Sequence, residues 1–491
     1  MGAGGGLPHP PAPYPEGLVI THKSDQGDTE GMDWDDPARW AEQMWGQAAL
    51  GDARRTKRVV ALATQCATLP DAQLPEQCGS WAALKGAYRF LSNPHLSATQ
   101  LNQPVWDSTR DRAQQVHGHV LFIQDDTELN FTHHPHTTGL GLGGNPRQRG
   151  LMLHSTLCVQ PHGAPEHLQV LGVAQQFVWI RPQSRQGEAR AQRYERWNES
   201  DVWGEALETC TPPQPHWISV SDRGSDDFSY FRQAAALRWR IVARAAQTRR
   251  VFTTSGQPGS LFPESRQSPS LATVALHRRG RDGQPAQTIS VQVSFTALTL
   301  RPPKHGPEQH QAPLPMWVVR AWSGDGRHEW ILLTSVPVQT IEDALEIVSW
   351  YAHRWVIEEF HKALKTGCQF EARQLETAAA LQRLLALLSP IAARLLALRG
   401  VSRAHPDDAA TTVVPVEVVT LVMRKLRSTA DPQRCTLRTF WHGVAQIGGF
   451  VNRAGDGEPG WQTLWRGWHW LLEATWLLDL PGPDAALPTC G

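Results

Sequence analysis

Apolar positions change their spacing along the chain. From Ala53 to Leu91 they recur every three to four residues, which predicts helices. Asp52 stands where it can cap a helix through ARRTKRVVALATQCA. Ser80 can cap a second through WAALKGAYRFL, which should stop before Asn93-Pro94. Beyond residue 117 the pattern shortens to strands: HVLFIQDDTELNF, an apolar run ending in acids, then LMLHSTLCVQ, HLQVLGVAQQFVWI and HWISVSDRG. SDDFSYFRQAAAL reads as a helix and RWRIVARA as a strand. Residues 247–316 are rich in Gly, Pro, Ser, Thr and Gln, with β-like pieces such as TISVQVSF, and EWILLTSVPV is another strand. One long helix is predicted from about Ile341 to Thr366. Further helices are predicted over 374–400, over 415–427 and in the Trp-rich tail GWQTLWRGWHWLLEATWLL. No internal repeat is present. Residues 1–32, rich in Gly and Pro, should be disordered.

At 491 residues the chain should hold two to four domains of about 100–200 residues each. Its 41% hydrophobic and 19% charged residues suit a globular protein. Lys plus Arg and Asp plus Glu both total 47, so overall charge does not mark a nucleic-acid binder, and local charge must be read instead. From Glu16 to Glu42 eight acids face two cations, a net of −6; residues 53–115 carry eight Lys/Arg against four acids, a net of +4. Two readings of that basic helical segment stand: a DNA-binding module or a solvated helical face. The seven cysteines are scattered, with no C-x-x-C pair, which argues against a disulfide framework or zinc ribbon and for a reducing, cytoplasmic setting. No apolar run reaches the roughly 18 residues of a membrane span, and the N-terminus lacks the pattern of a signal peptide.

The richest stretch is YAHRWVIEEFHKALK, Tyr351 to Lys365. On a regular helix Tyr351, Arg354, Glu358, Lys362 and Lys365 fall within an arc of about 80°, and Val356, Ile357, Phe360 and Leu364 lie opposite. Alone, this is also what a solvated amphipathic helix with i,i+4 pairs looks like. Two further acids change the weighting. Asp125 ends the apolar run VLFIQ and Asp222 ends WISVS, and acids past the carboxyl ends of buried strands lie where α/β sheets place their chemistry. Three carboxylates from two strand ends and a helix can hold two Mg²⁺ ions. Such a pair, about 4 Å apart, can activate a water or 3′-hydroxyl and steady the leaving oxygen of a phosphoryl transfer.

These residues carry a family resemblance. The chain resembles the DDE transposases of bacterial insertion sequences, the IS-four family, whose Y-x2-R-x3-E-x6-K signature is matched by Tyr351, Arg354, Glu358 and Lys365. The first acid matches in IQDDTELNF and the second in VSDRGSDD. AALGDARRTKR and KGAYRFLSNPHLSA resemble the family's DNA-binding domain, and GGFVNRAGDGEPGWQTLWRGW its C-terminal dimerisation region, so the likeness covers roughly residues 33–475. The resemblance implies an α/β, RNase H-like mixed sheet with a β-rich insertion at about 245–325, inside a catalytic domain at 116–370. A helical DNA-binding domain at 33–115 and a helical dimerisation domain at 371–491 would flank it.

It also implies Mg²⁺-dependent cut-and-paste transposition on double-stranded DNA by a homodimer, through a hairpin, with Mn²⁺ able to replace Mg²⁺. Asp125 would be the bridging metal ligand, with Asp222 and Glu358 as its partners. Arg354, Lys362 and Lys365 would hold DNA phosphates beside Tyr351; Arg244 would be a further DNA contact; Trp330 would receive a flipped base. Arg54, Arg55 and Arg58 are the candidate phosphate contacts of the N-terminal helices. This sequence departs from the family pattern at two places. Asp126 follows Asp125, and strand alternation lets only one of them face the site; the I-x-D-x-T-x-L pattern favours Asp125. Gly224 stands where a further acid is expected.

Other motifs carry less. Gly139, Gly141 and Gly144 spell G-x-G-x-x-G, but Asn145-Pro146 follows instead of a helix. His133, His134 and His136 lack a fourth ligand for zinc. Trp461, Leu464, Trp465 and Trp468 form one apolar stripe, open to two uses: a dimer contact or the monomer's own core. A nuclease of the same fold and a catalytically silent DNA binder are the rival functions, and the intact acids and cations speak against the second.

Overall fold

The structure, a computed structural model, describes residues 36–145, 147–162, 167–181, 197–278, 287–403, 405–412, 414–453 and 456–478. The Gly/Pro-rich leader and Cys490 lie outside the described residues. The chain divides into two compact units, one of residues 105–361 and one of residues 1–104 with 362–491.

The unit of residues 105–361 is built on one twelve-stranded mixed sheet. β1 (Val120–Asn130), β3 (Arg149–Pro161) and β4 (Leu168–Trp179) form an antiparallel meander, and β2 (Gly141–Leu142) also pairs with β3. β5 (Trp217–Ser221) lies parallel to β1, and β6 (Arg240–Arg244) parallel to β5. The insertion continues the same sheet. β12 (Glu329–Thr334) pairs with β6, then come β11 (Leu314–Ser323) and β10 (Gln287–Leu300). β9 (Ala272–Arg278), β7 (Arg250–Phe252) and β8 (Pro258–Ser260) finish the edge. The order β4-β3-β1-β5-β6, three antiparallel strands followed by two parallel ones, is an RNase H-like core extended by an antiparallel sheet. A continuous cluster including Phe122, Trp203, Trp217, Phe231, Trp239 and Leu333 fills the core of this unit. α6 (Val202–Thr209) and α7 (Phe228–Ala236) contribute to it; α8 (Leu261–Gln267) sits within the insertion.

Two expectations need correction here. β1 does not end at the acids: it runs on to Asn130, because β3 keeps pairing with it past Asp125. The stretch from Ile341 to Thr366 is not one helix. α9 (Ile341–His353) closes at Arg354, where the N–H groups of Arg354, Ile357 and Glu358 bond three residues back, and α10 (Val356–Lys362) begins after this tightened turn. The turn breaks the regular wheel, so Tyr351, placed on the polar stripe by simple periodicity, is buried.

The other unit joins the N-terminal helices to everything after His361. α1 (Pro37–Trp45), α2 (Ala53–Thr68), α3 (Leu74–Cys78) and α4 (Trp81–Leu91) are followed by α5 (Ala98–Gln115), within which the boundary between the units falls at Pro104. Asp52 and Ser80 cap α2 and α4 as expected, accepting from the N–H groups of Arg54 and Ala83. After Lys362 the chain makes one wide turn over Ala363–Gly367, closed by the Cys368 N–H on the Ala363 carbonyl at 2.8 Å. The core helix is α11 (Ala378–Val401), followed by α12 (Val416–Lys425), α13 (Leu437–Ile447) and α14 (Trp461–Leu478). By length and composition α11 could cross a membrane, an outcome the sequence reading did not anticipate. It is nearly all buried, Arg383, Arg394 and Arg399 included.

Two of those arginines, with Arg373 just ahead of α11, tie the N-terminal helices to the C-terminal ones. Arg383 donates to the Leu91 and Leu96 carbonyls, Arg394 stacks 5.3 Å from the Trp40 ring, and Arg373 donates to the Pro70 and Ala72 carbonyls. The Trp461, Leu464, Trp465 and Trp468 stripe is buried within this unit, with Trp468 5.4 Å from Trp441 of α13. Of its two readings, the structure takes the monomer core.

Candidate active site

The register of three parallel strands builds the site. Gln124 of β1 pairs with Ser221 of β5, and Ser221 with Ala243 of β6. One residue further along each strand come Asp125, Asp222 and Arg244, level with one another at the carboxyl edge. That is where β5 and β6 end while β1 continues.

Arg354 ties Asp125 to the helix. Its guanidinium donates from one nitrogen to Asp125 Oδ2 at 3.1 Å and from the other to Glu358 Oε1 at 2.5 Å. The Asp125 side chain is only 15% exposed. Burial pushes its carboxyl up to about 7; the Arg354 charge opposes this, and the carboxylates of Asp222 and Glu358 add to it. Asp222 accepts from the Gly224 N–H at 2.7 Å, which fixes its carboxylate at the mouth of a tight turn. At Gly224, where the resemblance leads one to expect an acid, there is little room for a side chain. A Cβ there would stand 2.7 Å from Cζ2 of Trp203 and 3.2 Å from Asp222 Oδ1.

The choice between Asp125 and Asp126 has a structural answer. Asp126 points to the opposite face of β1, where the His154 Nδ1 lies 2.6 Å from its Oδ1. His154 is fully buried, edge-on to Trp203, and its Nε2 is 3.1 Å from Gln124 Oε1. Gln124 in turn donates to Ser219 Oγ at 2.9 Å, and Ser219 meets the Tyr230 hydroxyl at 3.2 Å. Asp126 is the outer end of this buried polar chain, and Asp125 faces Arg354. Sequence reasoning missed His154, Ser219 and Tyr230. The partners lie on β3, β5 and α7, and no local spacing joins them; only alternation along β1, which sets Gln124 and Asp126 on one face, hinted at the chain. Asp226, the second acid of the SDRGSDD run, is structural: its buried carboxylate accepts from the Ala246 and Gln247 N–H groups and pairs with Arg249.

Three of the other expected residues come together. The Tyr351 ring meets Trp330 edge-on at 4.9 Å, and nearby Arg244 donates to the Glu329 carbonyl at 3.0 Å. Burial raises the Tyr351 hydroxyl, with Arg354 and Arg244 pulling the other way. Trp330 is half-buried, outside the closed core. Its neighbour Glu329 is clamped by Arg266 and Arg320.

The remaining candidates belong to the other unit. Lys362 is exposed there, and Lys365 lies 3.8 Å from Glu371. Arg54 pairs with Asp52, Arg55 donates to the Leu50 carbonyl at 3.0 Å, and Arg58 lies over Gly86. Among the described residues no three His, Cys, Asp or Glu side chains are drawn close enough to close on one metal ion; two of the three acids instead accept from Arg354. The donor set nonetheless fits a hard divalent cation. It is all carboxylate oxygen, and the burial and neighbouring acids that raise the Asp125 carboxyl are what a bound cation would offset.

Comparison with known families agrees with this geometry. Residues 37–96 match the family model for transposase DNA-binding, and residues 175–396 match that for a transposase DDE domain. The second match includes Asp222 and Glu358; Asp125 lies ahead of it, on the strand that its register sets beside Asp222.

Proposed function

We propose that this chain, which carries the DNA-binding and DDE domains of a transposase, performs cut-and-paste transposition in the manner of the IS-four family. The observation that carries the proposal is the register that levels Asp125 with Asp222, together with the Arg354 bridge from Asp125 to Glu358. Asp125, Asp222 and Glu358 would hold two Mg²⁺ ions, or Mn²⁺ in their place. Bound there, the metal supplies activation of the attacking oxygen and charge neutralisation at the leaving one.

The side chains do the rest. Arg354 moves from the acids to a DNA phosphate once cations neutralise them, since a guanidinium suits a phosphate as well as a carboxylate. Tyr351 and Arg244 position the backbone beside it, and Lys362 and Lys365 add phosphate contacts. Water first cuts one strand of the transposon end, leaving a 3′-hydroxyl and a 5′-phosphate. The 3′-hydroxyl then displaces a 3′-oxygen on the opposite strand to give a hairpin. The hairpin is reopened by water, and the 3′-hydroxyl attacks target DNA. Hairpin geometry demands that a base leave the stack, and the half-buried Trp330 offers an aromatic face beside Tyr351. Two copies of the chain would pair the two ends.

The test starts from a search for inverted repeats on either side of the gene; a plasmid carrying them is incubated with the full chain and Mg²⁺. Nicks at the repeat boundary, then a hairpin on a denaturing gel, then strand-transfer products are expected. Nicks without hairpin or joined products would reduce the function to that of a nuclease.

A further inference from the structure

β12 is held unevenly along its length. On one side β11 pairs with all of it, from Glu329 opposite Trp322 to Thr334 opposite Trp317. On the other side the pairing with β6 covers only Leu332 to Thr334. Past that point the Ala245 N–H donates to the Ile331 carbonyl at 2.8 Å, and the Arg244 guanidinium donates to the Glu329 carbonyl at 3.0 Å. The turn that leads into β12 gives little support. Residues 324–327 are exposed, Gly324 and Gly326 have open space where a Cβ would stand, and Gly326 is left-handed at φ 69°. Trp330, the ring offered to a displaced base, therefore stands on the least supported stretch of the strand.

Glu329 compensates from the opposite face of the sheet. Strand alternation turns Trp330 toward Tyr351 of α9 and Glu329 toward the face of Arg320 and Trp322. There two guanidiniums hold both of its oxygens. Arg266 of α8 donates from Nε to Oε1 at 3.1 Å and from Nη2 to Oε2 at 2.5 Å. Arg320 of β11 donates from Nε to Oε1 at 2.8 Å and lies 4.0 Å over the Trp322 ring. Arg320 also donates to the Arg266 carbonyl at 3.4 Å, so α8, β11 and β12 meet at one point. A lone exposed ion pair fixes little. A forked contact shared with a second, largely buried arginine fixes a geometry. The bond from Arg266 holds the Glu329 carboxyl below the usual carboxylate range against the effect of burial, and Arg320 adds to it, so the clamp is closed at neutral pH.

We propose that Glu329 is a positioning residue for the hairpin step: clamped by Arg266 and Arg320, it fixes the open end of β12 and with it the place where the Trp330 ring receives the displaced base. A slip of one residue in the pairing with β11 would turn Trp330 to the other face. A looser strand end would let the ring yield as the base arrives. Glu329 touches no DNA in this role and acts through Trp330. The inference rests on the transposase reading and on the part that Trp330 has in it.

The experiment uses the full chain with Mg²⁺ and the terminal repeat found beside the gene. The duplex is supplied once intact and once already nicked, so that the first cut and hairpin formation are timed separately. Glu329→Ala and Arg320→Ala should each nick within about twofold of wild type and form hairpins about tenfold more slowly. Added to Trp330→Ala, Glu329→Ala should slow the hairpin no further, since both changes act through one ring. An abasic site, placed in turn at the positions next to the cut, should restore much of the rate lost by Glu329→Ala at one of them. Melting curves accompany each variant. If wild type forms hairpins and both alanine variants do so within about twofold of it, the clamp has no such role and the transposase reading stands. If both steps fall together with the melting temperature, if Glu329→Ala slows the Trp330→Ala chain further, or if no abasic site restores the rate, Glu329 only packs and the inference is overturned. If wild type nicks the repeat and makes no hairpin, the reading falls and the inference with it.

Discussion

Replacing Asp125 with asparagine should make the metal-free protein more stable at pH 8 while ending its chemistry. Burial and the neighbouring Asp222 and Glu358 carboxylates outweigh the pull of Arg354 and lift the Asp125 carboxyl from 3.8 to about 7. At about 1.36 kcal/mol per pH unit, ionising it in the folded state costs ~4 kcal/mol at most. Allowing half of that for water and side-chain relaxation leaves ~2 kcal/mol, or about 4–8 °C in melting temperature for a unit of this size. The sign follows from linkage. The folded state holds this proton more tightly than the unfolded chain. Destabilisation is therefore absent below about pH 4, grows between pH 4 and about 7, and stays constant above. Asparagine keeps the shape and cannot ionise, so the gap over wild type should be wide at pH 8 and narrow at pH 5. The assay is thermal melting in EDTA at both values, repeated with Mg²⁺, which should stabilise wild type more than Asp125→Asn. A variant that melts below wild type at pH 8 in EDTA, or a gap equal at both pH values, would refute the reasoning.

Further outcomes follow from the same geometry. Arg354→Gln removes the charge that holds the Asp125 carboxyl down, so the pH at which nicking reaches half its maximum should move upward; an unchanged profile would deny the contact a role. Trp330→Ala should spare the first nick and slow hairpin formation, with partial rescue by an abasic site at the flipped position; equal loss of both steps with a lowered melting temperature would make Trp330 a packing residue only. Gly467→Ala would set a Cβ 1.7 Å from the Val444 carbonyl oxygen, where α13 and α14 cross, and should cost about 3 kcal/mol in denaturant melts.

Much of this was legible in the chain. The strands VLFIQ and WISVS announced themselves by mainly apolar runs, each followed at once by an acid. The caps Asp52 and Ser80 were read from local chemistry alone, since a capping side chain needs nothing beyond its own first turn. What could not be read depended on distant partners. β1 continues past Asp125 because β3 pairs with it there, and nothing within β1 says so. The Arg354 turn is likewise invisible to a regular wheel, which set Tyr351 on the polar stripe and did not show that it is buried. The Trp461–Trp468 stripe fits a core and a dimer seam equally well as a pattern; only α13, seated against it, decides. The joining of the N-terminal helices to the C-terminal ones involves Arg383 and Arg394 of α11 and Arg373 ahead of it, whose partners are backbone carbonyls or a ring about 300 residues or more away in sequence, a link that composition cannot show.

The central claim is that Asp125, Asp222 and Glu358, and not Asp126, are the acids that cut DNA. The most direct measurement is Mg²⁺-dependent nicking of repeat DNA by Asp125→Ala, Asp222→Ala, Glu358→Ala and Asp126→Asn, with binding of the same duplex followed alongside. The account predicts that the three alanine variants bind and do not nick. Asp126→Asn, whose amide oxygen can still accept from His154, should nick within about tenfold of wild type. Substantial nicking by Asp125→Ala, or its loss in Asp126→Asn with binding and melting temperature intact, would contradict it.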